Sequence, residues 1–111
     1  MRLLEFNVNK QRLTMKADCD FSGIVAGSKG YLKAKFYFSE EWDPCTNKVV
    51  SFWNEHDEHA LFLDKDDSCV IPHEALTSGK FYVSVIGVGS AYRINTNRTR
   101  IKQEVNRHGN C

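Results

Sequence analysis

The chain has little of what marks the specialised classes of protein. Two prolines and seven glycines in 111 residues exclude collagen-like and low-complexity sequence. No apolar run reaches the roughly 18 residues of a membrane-spanning helix, so no membrane partner is expected. Charge of one sign is missing too: 15 Lys and Arg against 14 Asp and Glu leave a formal net charge of +1. Domains built to grip polyphosphate are clearly basic, so nucleic acid is not an expected partner either. Met1-Arg2-Leu3-Leu4-Glu5-Phe6-Asn7-Val8 breaks its apolar residues with Glu5. It reads as a strand and not as a signal peptide, which predicts synthesis in the cytoplasm. In that compartment Cys19, Cys45, Cys69 and Cys111 are expected to be free thiols, Cys69 as a small buried hydrophobe and Cys111 as an exposed terminal one.

What is present suits one domain with one core: 41% hydrophobic and 12% aromatic residues, with 26% charged. Tyr31 to Phe38 is the clearest segment. Leu32, Ala34, Phe36 and Phe38 fall on one side of a period-two pattern, and Tyr31, Lys33, Lys35 and Tyr37 on the other, as in a strand with one buried face. Pro44 ends it, because proline cannot donate to a ladder. The same alternation predicts a strand at Leu4–Val8, and β-propensity predicts one at Phe81–Val88. Short runs between turn signals predict others at Leu13–Met15, Val49–Trp53, Ala60–Leu63, Cys69–Ile71, Ala91–Thr96 and Thr99–Val105, with a short one allowed at Gly23–Ala26. Asn54–His59 and Asp64–Asp67 read as polar turns. The one expected helical turn lies near 72–76, where Pro72 suits a first helical position and Glu74 the N-terminal end. About eight or nine short strands with long loops predict an all-β, immunoglobulin-like antiparallel β-sandwich over 1–105. Residues 106–111 read as a flexible C-terminal tail.

Few residues offer chemistry. His56, Asp57, Glu58 and His59, with Cys69 and His73 further on, are zinc-ligand types, but their spacing matches no standard zinc motif and the segment reads as a solvated turn. Asp64-Lys65-Asp66-Asp67-Ser68 lacks the glycine and glutamate of a calcium loop. Ser84 lies mid-strand, Ser90 in a turn, and no serine sits in a glycine-framed elbow. Cys69 and His73 are separated by Pro72, which argues for packing over a thiol–imidazole pair. These readings predict no catalytic residue, metal site or cofactor. Trp42 and Trp53 are expected in the core, Trp42 capping one end of it. Lys33 and Lys35 between Tyr31 and Tyr37, and the stretch Arg93, Arg98, Arg100, Lys102 and Arg107, are basic, but near-neutrality favours a solvated sheet face over a nucleic-acid groove.

The segments SKGYLKAKFYFSEEWDP, KVVSFWN, LDKDDSCVIPHEAL, GKFYVSVIGV and RINTNRTRIK together resemble the small N-terminal β-sandwich domains of bacteriophage tail-fibre and upper-baseplate proteins, from phages and prophages of low-GC Gram-positive bacteria. The similarity runs from about Leu4 to Lys102, and its motifs are structural. In that family such a domain precedes a longer fibre or receptor-binding region. The resemblance therefore implies an attachment or adaptor module of the virion, made in the bacterial host cytoplasm. Its implied partners are other phage structural proteins, and a homo-oligomer in the particle. Tyr31, Lys33, Lys35 and Tyr37 form the first candidate docking face and the 54–59 loop a second. A carbohydrate-binding β-sandwich, with an exposed tryptophan or tyrosine platform, is the alternative.

Overall fold

Leu4, Phe6 and Val8 are fully buried while Glu5 and Asn7 between them are only half-buried, and this alternation defines the first strand, β1 (Arg2–Asn9). In the computed structural model, which describes residues 1–105, eight more strands follow. They are β2 (Arg12–Met15), β3 (Leu32–Phe38), β4 (Asn47–Trp53), β5 (Glu58–Phe62), β6 (Ser68–Val70), β7 (Lys80–Gly89), β8 (Tyr92–Asn95) and β9 (Thr99–Lys102). One sheet has the order β2-β1-β3-β6; the other runs β5-β4-β7, with β8 and β9 along the far edge of β7. The expected all-β sandwich is what the chain forms.

Several details depart from the sequence reading. β1 and β3 pair in parallel, Arg2 with Leu32 through Val8 with Phe38. All other strand pairs are antiparallel. Among the described residues Gly23–Ala26 forms no strand and pairs only through an isolated bridge between Val25 and Glu104. β5 starts at Glu58, so His59 lies in a strand and not in the preceding turn. The helical turn is a 3-10 turn at His73–Leu76, with Pro72 as its extended cap. A second 3-10 turn, Glu40–Trp42, went unforeseen. The tail assigned to 106–111, with Cys111 and Arg107, lies outside the described residues.

Aromatic rings run through the core in a ladder. Phe6 stacks on Phe36 at 5.1 Å and meets the edge of Phe21 at 5.3 Å. Phe36 continues to Phe38 at 6.1 Å, and Phe38 to Trp42 at 4.9 Å. Offset and edge-on contacts of this kind add stabilisation beyond the buried area itself. Phe52 and Phe81 supply the facing layer from the other sheet.

β8 and β9 are two halves of one bulged strand. Asn95 pairs with Ile86 and Thr99 with Val83, so the three residues Thr96, Asn97 and Arg98 oppose the two residues Ser84 and Val85. Such an extra residue re-aims side chains at a sheet edge. Here it turns Asn97 toward the other sheet. Its Oδ1 accepts the Leu13 N–H at 2.8 Å, its own N–H donates to the Gln11 carbonyl at 3.2 Å, and Thr99 Oγ1 donates to the Leu13 carbonyl at 2.5 Å. The bulge thus closes the sandwich along β2. Asn97→Ala leaves the Leu13 N–H without this acceptor and is expected to cost about 1–2 kcal/mol. Faster hydrogen exchange at Leu13 with a lowered melting temperature is the expected result; unchanged exchange there would show that the clamp is not what protects β2.

Candidate docking surfaces

Alternation puts Tyr31, Lys33, Lys35 and Tyr37 on the outer face of the first sheet, as expected, but the four do not act alike. Tyr37 is used within the fold. Its hydroxyl donates to Glu5 Oε2, which pushes its pKa above the usual phenol value, and its ring lies 5.6 Å from Lys16 Nζ and 5.5 Å from Lys35 Nζ. Lys35 also donates to the Asp66 carbonyl. Tyr31 and Lys33 have no such attachment among the described side-chain hydrogen bonds, and they sit among exposed apolar neighbours. Leu3 and Val70 flank Lys33 in one row across β1, β3 and β6. Tyr31 is 50% exposed, Leu3 44% and Val70 43%. The alternation of Leu4, Phe6 and Val8 already puts Leu3 on the outer face, whereas the short apolar run Cys69–Ile71 carries no signal for which way Val70 points.

The 54–59 loop is built around Asn54. Its Oδ1 accepts the His56 and Asp57 N–H groups, each at 2.9 Å, and its Nδ2 donates to the Glu74 carbonyl at 2.8 Å. This ties the loop to the His73–Leu76 turn. His56 projects to solvent, His59 sits half-buried in β5, and the exposed His73 pairs with Glu74 at 3.4 Å. No three metal-ligating side chains converge among the described residues.

The Asp64 segment is a self-satisfied turn. Asp64 Oδ1 accepts from the Ser68 N–H at 3.0 Å and the Asp66 N–H at 2.9 Å, and these bonds, that from Ser68 foremost, hold its carboxyl below the usual range. Asp67 is in the left-handed region, with φ at 58°, and pairs with Lys48 at 3.0 Å.

Cys19, Cys45 and Cys69 are free thiols. Cys69, expected to be buried, is half-buried against the core, and its desolvation there, with Asp64 secondarily, pushes its pKa up to about 12. Against an ordinary value of 9.0, this leaves about 1,000-fold less thiolate at pH 8, and the thiolate is the nucleophile. Iodoacetamide is therefore expected to label Cys69 far more slowly in the folded protein than in urea, as read by mass spectrometry; equal rates would contradict the burial. The folded pKa lies above the unfolded one, so this group's contribution to stability is full below pH 9 and is lost as pH rises through 9 toward 12.

Trp42 is fully buried, and its indole N–H donates to the Lys10 carbonyl at 2.8 Å. Trp53, expected in the core, instead points outward from the second sheet, since its neighbours Val50 and Phe52 take the inward positions. Its indole N–H reaches Ser84 Oγ at 3.4 Å. The Arg98 guanidinium lies 4.8 Å from the Trp53 ring and 5.5 Å from the Tyr82 ring. This cluster was not foreseen, although the alternation around Phe52 carried the signal for Trp53. Ser84, the mid-strand serine, has Trp53 as its side-chain partner.

No protein-family model matches the chain, and no curated protein matches it. No described helix is long and apolar enough to cross a membrane.

Proposed function

We propose that this chain is a structural module of a bacteriophage tail or baseplate, an attachment or adaptor piece that works by protein–protein docking. It would be made in the host cytoplasm and carried in the virion, with other phage structural proteins as partners. The resemblance in the sequence motivates the reading, and the β-sandwich fold is compatible with it. The observation that carries it is the patch on the first sheet, where Leu3, Tyr31 and Val70 expose apolar surface around the single ammonium of Lys33. Contiguous apolar surface rimmed by polar residues marks interaction sites. Lys35 and Tyr37 contribute by stiffening the face from within.

The carbohydrate alternative draws on Trp53, but Arg98 already lies against that ring, which leaves less of it for a sugar to stack on.

The deciding experiment is a mass-spectrometric search for the chain in gradient-purified particles from its source culture after induction. Co-purification at a stoichiometry that fits rotational symmetry is expected. Particles that form without it remove the main support for the reading. Tyr31→Ser and Val70→Ser are both at exposed positions and are expected to reduce incorporation while leaving the melting temperature within about 2 °C, since surface substitutions are usually near-neutral. Full incorporation of both variants would move the docking site elsewhere.

A further inference from the structure

The outer face of the second sheet has a charge layout that fits a copy of itself. Read across the strands, one row is Glu58, Trp53, Tyr82 and Arg100: acid, two aromatics, base. Four residues along each of β5, β4 and β7 the row is Phe62, Val49, Ile86 and Asn95, with Phe62 70% exposed. Between them lie the small side chains Ala60, Ser51 and Ser84. At the β5 edge, Glu55, Asp57 and Glu58 are acidic. At the opposite edge, Arg93, Arg98, Arg100 and Lys102 are basic. None of these seven charges takes part in a salt bridge among the described residues.

We infer that this face binds a second copy of the chain, face to face, about a twofold axis parallel to the strands. The charges choose the axis. Two sheets can stack about an in-plane dyad running along the strands or across them. A dyad across the strands would set each basic edge on the partner's basic edge. A dyad along them sets each basic edge on the partner's acidic one, so that Arg100 faces Glu58 of the partner copy, twice per dimer. Trp53 of one copy then meets Tyr82 of the other. Arg98, already held over both rings, is carried to the partner's carboxylates, which supply the pairing that a desolvated cation needs. Tryptophan, tyrosine and arginine are the residue types that dominate interface energetics.

The four-strand face spans about 20 by 25 Å from strand spacing and rise. That places the interface at the lower end of specific protein contacts. The inference goes beyond the docking reading, which uses the first sheet, and rests on it only for the premise that the molecule works by protein contacts.

Sedimentation velocity of the isolated chain across about 1 µM to 500 µM tests it directly. Reversible dimerisation that weakens with salt is expected. Glu58→Arg and Arg100→Glu are each expected to weaken the dimer about tenfold or more, and the double variant to recover to within about threefold of wild type, because the reversed pair re-forms. Both side chains are exposed, and circular dichroism confirms that the variants fold. A chain that stays monomeric throughout overturns the proposal. So does a dimer indifferent to both reversals, which would use another face. If a monomeric chain shows Trp53 quenching on adding a soluble polysaccharide, a sugar occupies the face instead. If it binds purified tail particles through Trp53, a different structural protein does. Either outcome overturns self-association without touching the particle experiment above.

Discussion

Trp42→Ala is expected to destabilise the protein by about 3–5 kcal/mol, the range for removing a large buried aromatic side chain. Domains of this size are stable by about 5–15 kcal/mol, so one substitution removes a large share of the total. Three losses combine. The ring is fully buried and packs on Phe38 at 4.9 Å, so its removal opens a cavity at the end of the aromatic ladder. The Lys10 carbonyl loses the indole N–H that donates to it at 2.8 Å. Lys10 also has a left-handed backbone, with φ at 57°, at the turn between β1 and β2. That conformation is held from both sides: the Lys10 N–H donates to Ser39 Oγ at 2.8 Å and its carbonyl accepts from Trp42. The short segment after β3 therefore clamps the β1–β2 hairpin. Trp42→Phe keeps most of the volume and loses the hydrogen bond, so about 1–2 kcal/mol is expected. Urea unfolding followed by circular dichroism measures both. A Trp42→Ala variant within about 1 kcal/mol of wild type would show that the site collapses without cost and that the hairpin does not need the clamp.

Much of the fold was legible because burial in this protein follows the period-two rule closely. The Tyr31–Phe38 pattern placed β3 within a residue of its observed start, and the Phe81–Val88 run placed β7. Both are central strands, where the inward face is dry and the outward one less buried, with Ser84 the exception in β7. The parallel pairing of β1 with β3 was hidden, since alternation is the same for either direction. The 3-10 turn at Glu40–Trp42 was hidden because three residues carry no period. His59 was read as turn because Glu58 and His59 are polar; only pairing with Phe52 makes it a strand residue. The bulge at 96–98 depends on register between distant segments, which no local pattern encodes.

The surfaces were only partly legible, for a related reason. Alternation says which residues face out, but not which outward residues satisfy one another. Lys35 and Tyr37 looked equivalent to Lys33 and Tyr31 until the positions of Asp66 and Glu5 were known. Arg98 looked like one of several C-terminal basic residues until the bulge set it over Trp53 and Tyr82. The two outer faces also differ in kind. The first presents an apolar patch around Lys33, beside the internally bonded Glu5, Lys16, Lys35 and Tyr37. The second presents an acidic edge, an aromatic middle and a basic edge. On the proposals above, a sandwich that pairs with itself through one face and holds a partner through the other is a bivalent adaptor. Linking two such sites in one dimer raises apparent affinity for a symmetric partner without any new contact.

Gly87→Ala is the second large effect expected, and its cause is space and not backbone freedom. A Cβ at Gly87 would lie 2.5 Å from Cys45 Sγ and 2.7 Å from both Cε3 and Cζ3 of Trp42. Real Cβ contacts essentially never come that close, and the indole is pinned by its bond to Lys10 and its contact with Phe38. Overpacking of this kind costs about 1–3 kcal/mol, and more where the neighbour cannot turn away. Alanine in place of glycine gains roughly 0.4–1 kcal/mol by restricting the unfolded chain, so the clash outweighs the gain. Glycine inside a strand marks a close approach by another group, and here that group is Trp42. The two sites must therefore be coupled. With the ring removed in Trp42→Ala, two of the three nearest clashing atoms are gone, and the third, Cys45 Sγ, sits on a single rotatable bond. The double variant is expected to lose at least about 1 kcal/mol less than the sum of the two single losses, as neighbours sharing one cavity do. Trp42→Leu serves as the partner substitution if the alanine variant is unfolded in water. Additive losses in that cycle would mean that the indole can shift away from β7, and would remove Gly87 as the reason Trp42 fits.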